Sequence, residues 1–235
     1  MPLLAEYHRP QSLKDAVALL AQPRHIPLAG GTIINADRRR SDLVGVDLQA
    51  LGLDSIEVEA TKASIGAMAR LSEIEQVFDG DLLGLAARRE LPSTLRTLGT
   101  IGGTVAAAES ESLVLAALLA SCATVETEDG STQTLGDFLA NPRGLIVSVQ
   151  VETTSDWAFK HTGRTPMDTP IVAAMGRLSS DGITIALTGV ASLPIAVRSL
   201  DEVNQIIPPA DFRGRSEFRH HLAVKLSERV IGALS

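Results

Sequence analysis

Three kinds of hydrophobic spacing follow one another along this chain. Near the start, Leu13, Ala16, Val17 and Leu20 recur at helical intervals. Ser12 and Asp15 have the spacing of an N-cap with an acid at the third helical position, so a short helix is predicted over residues 13–21. A strand over 25–29 follows, closed by Gly30 and Gly31, then a helix over 33–40 ending in Arg38, Arg39 and Arg40. Three cations there suit the negative end of the helix dipole and would form a solvated face or meet an acidic partner. Residues 43–47 read as the next strand, and alternation over 55–59 and 63–68 predicts paired edge strands. Ser72 is placed to cap a helix over 73–78 and Asp81 another over 82–90. Pro92 ends the second, because the residue before a proline is pushed out of the helical region.

The middle of the chain changes texture. A glycine-rich loop with Gly99, Gly102 and Gly103 stands ahead of an unbroken apolar run over 113–120, which reads as a buried helix. A strand over 123–128 is closed by the turn dipeptide Asp129-Gly130. From Gly144 onward polar and apolar residues alternate, over 145–152, 171–178 and 183–190, the last two joined by a hairpin at 179–182. A helix over 200–206 is broken by Pro208 and Pro209, and a final helix carries Phe218, Leu222, Leu226, Val230 and Leu234 in an i+4 row. These patterns predict an α+β chain: two small α/β subdomains over 1–52 and 53–152, then an antiparallel sheet backed by helices over 153–235.

Composition narrows the chemistry. A chain of 235 residues buries about 70% of the surface its unfolded form exposes, so its core needs no staples. A net charge of −7 leaves no basic surplus for nucleic acid or an anionic membrane. The single cysteine, Cys122, excludes a disulfide framework and a thiolate cluster, and its apolar neighbours predict a buried small hydrophobe. The apolar run around 113–123 is too short to insert in a bilayer and the N-terminus lacks the apolar core of a leader, so a cytoplasmic protein is expected. His8, His25, His161, His220 and His221 show no paired-ligand spacing, which argues against a metal site, and no G-x-S-x-G elbow is present. Nothing in the sequence marks a catalytic side chain.

The glycines carry the strongest chemical signal. Leu28-Ala29-Gly30-Gly31-Thr32 and Thr97-Leu98-Gly99-Thr100-Ile101-Gly102-Gly103-Thr104 are the two bends richest in them. Glycine permits positive φ and leaves room for amides to converge on a phosphate. Neither bend matches the G-x-G-x-x-G or P-loop fingerprints. From the residues alone, tight strand-to-helix turns and a diphosphate clamp both remain open.

The two bends, with the Arg9-Pro10 pair before the first helix, resemble the paired signatures of the FAD-binding medium subunits of the molybdenum hydroxylases, the aerobic carbon monoxide dehydrogenase and xanthine dehydrogenase type. Asp137-Phe138, the segment Phe159-Lys160-His161 with Gly163, Arg164 and Asp168, and the closing stretch 211–219 are similar to further motifs of that family, so the likeness runs along the whole chain. The resemblance implies that the first two subdomains form an FAD-binding module. It places Ala29, Gly30, Gly31, Thr32 and Ile33, and Thr100, Ile101, Gly102, Gly103 and Thr104, at the FAD diphosphate through backbone amides and two threonine hydroxyls. Lys160 would donate to the flavin ring or stand as a surface strand lysine; Trp157 and Phe159 would cover the ring or pack in a core. Arg96 would lie near the dinucleotide or be a loop cation. The implied partners are an iron-sulfur small subunit and a molybdenum-cofactor large subunit, with FAD collecting electrons for an external acceptor. Three positions depart from the pattern: Thr104 replaces an asparagine, Ser110 a proline and Leu113 an aspartate that helps fix the dinucleotide. Glu109 and Glu111 lie close by and would compensate or stand as solvated loop acids. The alternative is a cofactor-poor structural or interaction subunit on the same scaffold.

Overall fold

The structure is a computed structural model describing residues 4–34, 42–153, 156–163, 165 and 168–235. In chain order it opens with β1 (Glu6–His8), α1 (Leu13–Leu20), β2 (His25–Leu28) and β3 (Val44–Asp47), which form a parallel sheet of order β1-β3-β2. Ser12 caps α1 as its spacing predicts, its hydroxyl accepting the Asp15 amide at 3.1 Å. Ala16 packs on Val46 and Leu48, and this small core runs on into Met68 and Leu145 of the next unit. Most of the helix expected over 33–40, with its three arginines, lies outside the described residues.

The middle unit comprises β4 (Ile56–Val58), β5 (Lys62–Gly66), α2 (Leu71–Val77), α3 (Leu82–Glu90), α4 (Ser93–Arg96), α5 (Ile101–Ala107), α6 (Leu113–Ala120), β6 (Thr124–Thr127), β7 (Thr132–Thr134), α7 (Leu135–Ala140) and β8 (Ile146–Glu152). Its five strands have the order β4-β5-β8-β6-β7 and pair antiparallel throughout. Only β4 of the two strands expected at an edge is one, because β8 covers the other side of β5. Asp81 caps α3 through the Leu83 amide at 2.8 Å. Ser72 is not the cap of α2: the helix begins two residues earlier than expected, at Leu71, where the Glu73 carboxylate accepts the Arg70 amide at 2.9 Å.

The last unit is a four-stranded antiparallel sheet of order β12-β11-β10-β9, formed by β9 (Trp157–Thr162), β10 (Val172–Ser179), β11 (Gly182–Thr188) and β12 (Ile195–Val197). The hairpin joining β10 to β11 closes at Ser179 opposite Gly182, as the alternation predicts. α8 (Leu200–Asn204) and α9 (Ser216–Leu234) follow, and α9 packs on one face of this sheet.

The other face of that sheet meets α6, whose eight residues are all buried. A helix apolar on every side has protein on every side. Here α3, α5 and α7 lie against it from the middle unit, and β10, β11 and β12 from the last sheet. Trp157 and Phe159 pack into the same core, the Trp157 indole donating to the Gly80 carbonyl at 3.2 Å. Arg177, 2% exposed, reaches across with one guanidinium nitrogen 2.8 Å from each Asp81 carboxylate oxygen.

Two sequence expectations fail for visible reasons. Cys122 follows the end of α6, where the chain turns outward with φ of 50°, and its thiol is exposed. An i+4 row drifts by about 40° per step around a helix of 3.6 residues per turn. Phe218 has accordingly left the packed face of α9, which is made by Arg219, Ala223, Leu226, Ser227 and Val230. Among the described residues no helix is long and apolar enough to cross a membrane.

Candidate functional site

The two glycine-rich bends stand side by side. The first leaves the edge strand β2, and the second crosses beneath it between α4 and α5. Gly30 makes the contact: a Cβ there would overlap the Leu98 carbonyl oxygen and lie 3.2 Å from the Gly99 Cα. Gly102 plays the same part against the middle sheet, where a Cβ would sit 2.8 Å from both the Ala67 Cβ and its carbonyl oxygen. These two glycines allow backbone to meet backbone. Gly31 is needed for its conformation, with φ of 69° in the left-handed region.

The amides of the bends divide sharply. The Ile101 amide donates to the Ala69 carbonyl at 3.0 Å and the Gly102 amide to the Ala67 carbonyl at 2.9 Å. The Gly103 amide goes to the Thr100 hydroxyl at 3.1 Å, and the Thr104 amide to the Thr100 carbonyl at 2.9 Å. The stretch read as a loop is thus the first turn of α5, capped by Thr100. Its amides hold the helix and sheet together, which revises the expectation that they face a phosphate. By contrast, no hydrogen bond among the described residues engages the amides of Ala29, Gly30, Gly31, Thr32, Ile33 or Thr100.

All six of those residues line one cavity of about 770 Å³, as do Gly102, Gly103 and Thr104. That volume lies within the usual range for cofactor sites, roughly 300 to 1,000 Å³. Its walls are mainly apolar, with Ile26, Leu48, Met68, Leu91, Phe138 and Leu145 among them, and among the described residues its charged ones are Glu90, Glu109 and Arg143. Phe138 is buried beneath the wall, whereas Asp137 turns aside to accept the Thr134 hydroxyl at 2.6 Å. Among the described residues no group of three or more His, Cys, Asp or Glu could hold a metal ion.

Residues 4–151, more than half of the chain, match the family described as the FAD binding domain in molybdopterin dehydrogenase. The chain belongs to that family. FAD is accordingly the cofactor for which the domain is built. The protein YgfM of Escherichia coli K12, itself uncharacterised, is 29% identical over 94% of this chain and 92% of its own length. Among solved structures, a cyanide-inactivated Cu,Mo-containing CO dehydrogenase superposes with a TM-score of 0.82 at 25% identity, covering 100% of this chain and 98% of that one. A CO dehydrogenase from Hydrogenophaga pseudoflava gives 0.86 at 23% identity, with the same two coverages. Quinoline 2-oxidoreductase from Pseudomonas putida 86 gives 0.82 at 22%, covering 98% of each chain. The two below 25% speak for the fold.

The FAD-binding domain fits its cofactor by its own chemistry. A diphosphate diester needs donors without side chains in the way, and the amides from Ala29 to Ile33 with that of Thr100 supply such a group on one wall. The ring systems of the cofactor need apolar cover, which the remaining walls give.

Other residues named from sequence are engaged in packing and hydrogen bonds of the fold. The Ile101 side chain is fully buried in the core, and the Thr104 hydroxyl is spent on the Thr100 carbonyl at 3.1 Å. Lys160 stands on β9 opposite Ala174, away from the cavity wall. Phe159 stacks on His161 with centroids 4.9 Å apart and carries the Arg89 guanidinium over its ring, so it serves the contact with α3. Arg96 donates to the Arg88 and Leu91 carbonyls and pairs with Glu75 at 2.8 Å, fixing the turn after α3. In the closing motif Arg219, 2% exposed, donates to the Gly189 carbonyl at 2.6 Å and to Asp211 at 2.5 Å, and Arg213 pairs with Glu111. That motif ties the last sheet to the loop between α5 and α6.

Glu90 is the site residue that sequence reading passed over. It ends α3, yet its carboxylate sits at the start of α6, accepting the Ser112 hydroxyl at 2.6 Å and the Val114 amide at 3.0 Å. Burial raises its pKa above the usual carboxylate value, opposed by those hydrogen bonds, and the neighbouring Glu109 adds to the rise. A signal was present: an acid in the last turn of a helix opposes the helix dipole and needs a partner elsewhere.

Proposed function

We propose that this chain is the flavin-carrying electron-transfer subunit of a molybdenum-containing dehydrogenase in the cytoplasm. Its partners would be an iron-sulfur small subunit and a molybdenum-cofactor large subunit. The observation that carries the reading is a cavity into which both glycine bends open, with six amides that no hydrogen bond among the described residues engages on one side and apolar walls on the others. Ala29, Gly30, Gly31, Thr32 and Ile33 hold the diphosphate together with the Thr100 amide. Gly102, Gly103 and Thr104 form the wall along which the cofactor lies, and Ile101 anchors that wall in the core. When bound, FAD supplies a carrier that accepts electrons singly and releases them as a pair.

Family membership and whole-length superposition on CO dehydrogenase chains support the assignment to such an enzyme. No side chain is assigned to bond making or breaking, because in this reading substrate is oxidised on another polypeptide. Affinity purification of the chain from its own cells tests the proposal. The expected result is co-purification in fixed ratio with polypeptides carrying iron, acid-labile sulfide and molybdenum. A chain recovered alone, or with partners free of both metals, contradicts it.

A further inference from the structure

A diphosphate diester brings a negative charge on each phosphate, and neutral amides answer it only with partial charge. At many anion sites the first turn of a helix adds to that supply. In α5 the amides of Ile101, Gly102, Gly103 and Thr104 are instead spent on Ala69, Ala67 and Thr100. Among the described residues the charged groups on the cavity wall are two carboxyls, Glu90 and Glu109, and one guanidinium, Arg143. The chain as a whole has a net charge of −7, so its general field does not favour an anion either. Arg143 is then the one whole positive charge that the described wall offers to a phosphate.

Arg143 stands in the link between α7 and β8, and both flanks of that link are held. On one side the Asn141 amide closes α7 on the Asp137 and Phe138 carbonyls at 3.1 and 3.2 Å. On the other, Gly144 takes φ of 80°, and a Cβ there would lie 2.6 Å from a Glu128 carboxylate oxygen. The same carboxylate accepts the Leu145 amide. Leu145 packs on the small core of Leu48 and Met68, and so does Ala29, the first residue of the amide-bearing bend. Two residues on, the Val147 carbonyl accepts the Ala67 amide at 2.8 Å, and the Ala67 carbonyl accepts the Gly102 amide at 2.9 Å. The link therefore lies beside both glycine bends. The Arg143 side chain is exposed and makes no hydrogen bond or ion pair among the described residues. A guanidinium without a partner, on a backbone that is held, is free to meet a ligand.

We propose that Arg143 is the cation that pairs with the FAD diphosphate, closing on the group that the amides from Ala29 to Ile33 hold. The planar fork of arginine suits two phosphate oxygens at once. This rests on the reading of the cavity as the FAD site and adds to it the source of positive charge.

The experiment titrates the full-length apoprotein with FAD and with ADP, by flavin fluorescence and calorimetry, over a range of salt concentrations. The proteins compared are the wild type, Arg143→Gln, Arg143→Lys and Arg198→Gln. Arg198 follows β12 on the wall of a separate, smaller hollow, so its variant removes the same charge away from the cavity. Arg143→Gln is expected to weaken FAD and ADP about tenfold, the scale of a charge-assisted hydrogen bond, and to flatten the fall of affinity with salt. Arg143→Lys recovers most of that loss, Arg198→Gln binds as the wild type does, and all four apoproteins melt together because the Arg143 side chain has no partner to lose. Unchanged affinity in Arg143→Gln overturns the proposal. So does a loss that keeps the wild-type salt dependence, which marks a packing contact, or an equal loss in Arg198→Gln, which marks the general field. Each of these leaves the flavin reading intact, whereas a wild type that binds neither FAD nor ADP removes that reading as well.

Discussion

Gly30 fixes how closely the two bends approach, since its Cα faces the carbonyl of Leu98. Gly30→Ala must push backbone apart, and overpacking of this kind costs about 1–3 kcal/mol. The variant is expected to melt at a lower temperature and to bind FAD at least tenfold more weakly, measured by thermal denaturation and flavin titration. A variant with wild-type melting and affinity would mean that the bends need not touch. His161 offers a test of a different kind. Burial lowers its pKa, with Arg89 adding to the effect, so the folded chain prefers the neutral ring. Unfolding then takes up a proton, and the stability this group contributes is present above the ordinary value near 6.5 and is lost as pH falls below it. Melting curves between pH 8 and pH 5 should show a decline that His161→Gln flattens; an equal decline in both proteins contradicts the assignment.

Among the elements, α6 joins the middle unit to the last sheet, and the Arg177–Asp81 pair locks the same junction. Breaking a buried pair by removing one partner costs about 3–5 kcal/mol. Arg177→Met should therefore lower the urea midpoint without changing the slope. Asp81→Asn should do so less, because the amide oxygen still accepts. A loss under 1 kcal/mol for Arg177→Met would show that the junction rests on apolar packing alone. At this scale the sequence was partly legible. α1, α3, α6 and the β10–β11 hairpin followed from caps, spacing and turn residues. α5 did not, because Gly102 and Gly103 are poor helix formers that stand there to let the helix approach Ala67. β7 and β12, of three residues each, are too short to show a period. The role of Glu90 depends on a partner 22 residues away at Ser112, which no local pattern reveals.

At the scale of the molecule, three sheets of three, five and four strands among the described residues meet through continuous cores, and the cavity opens where the first meets the second. The family was readable from the two bends and the residues around them, and the match over residues 4–151 agrees. Which amides were available was not, since that depends on what each bend packs against. The central claim is that this cavity holds one FAD on the amides between Ala29 and Ile33. Its most direct test is the visible spectrum of the purified chain before and after FAD is added, with the flavin counted per polypeptide. The account predicts a yellow protein with the visible absorption of oxidised flavin, saturating at about one FAD per chain. A colourless protein that takes up no flavin at high micromolar FAD, alone or with its partner subunits, would contradict the account and leave a scaffold without its cofactor.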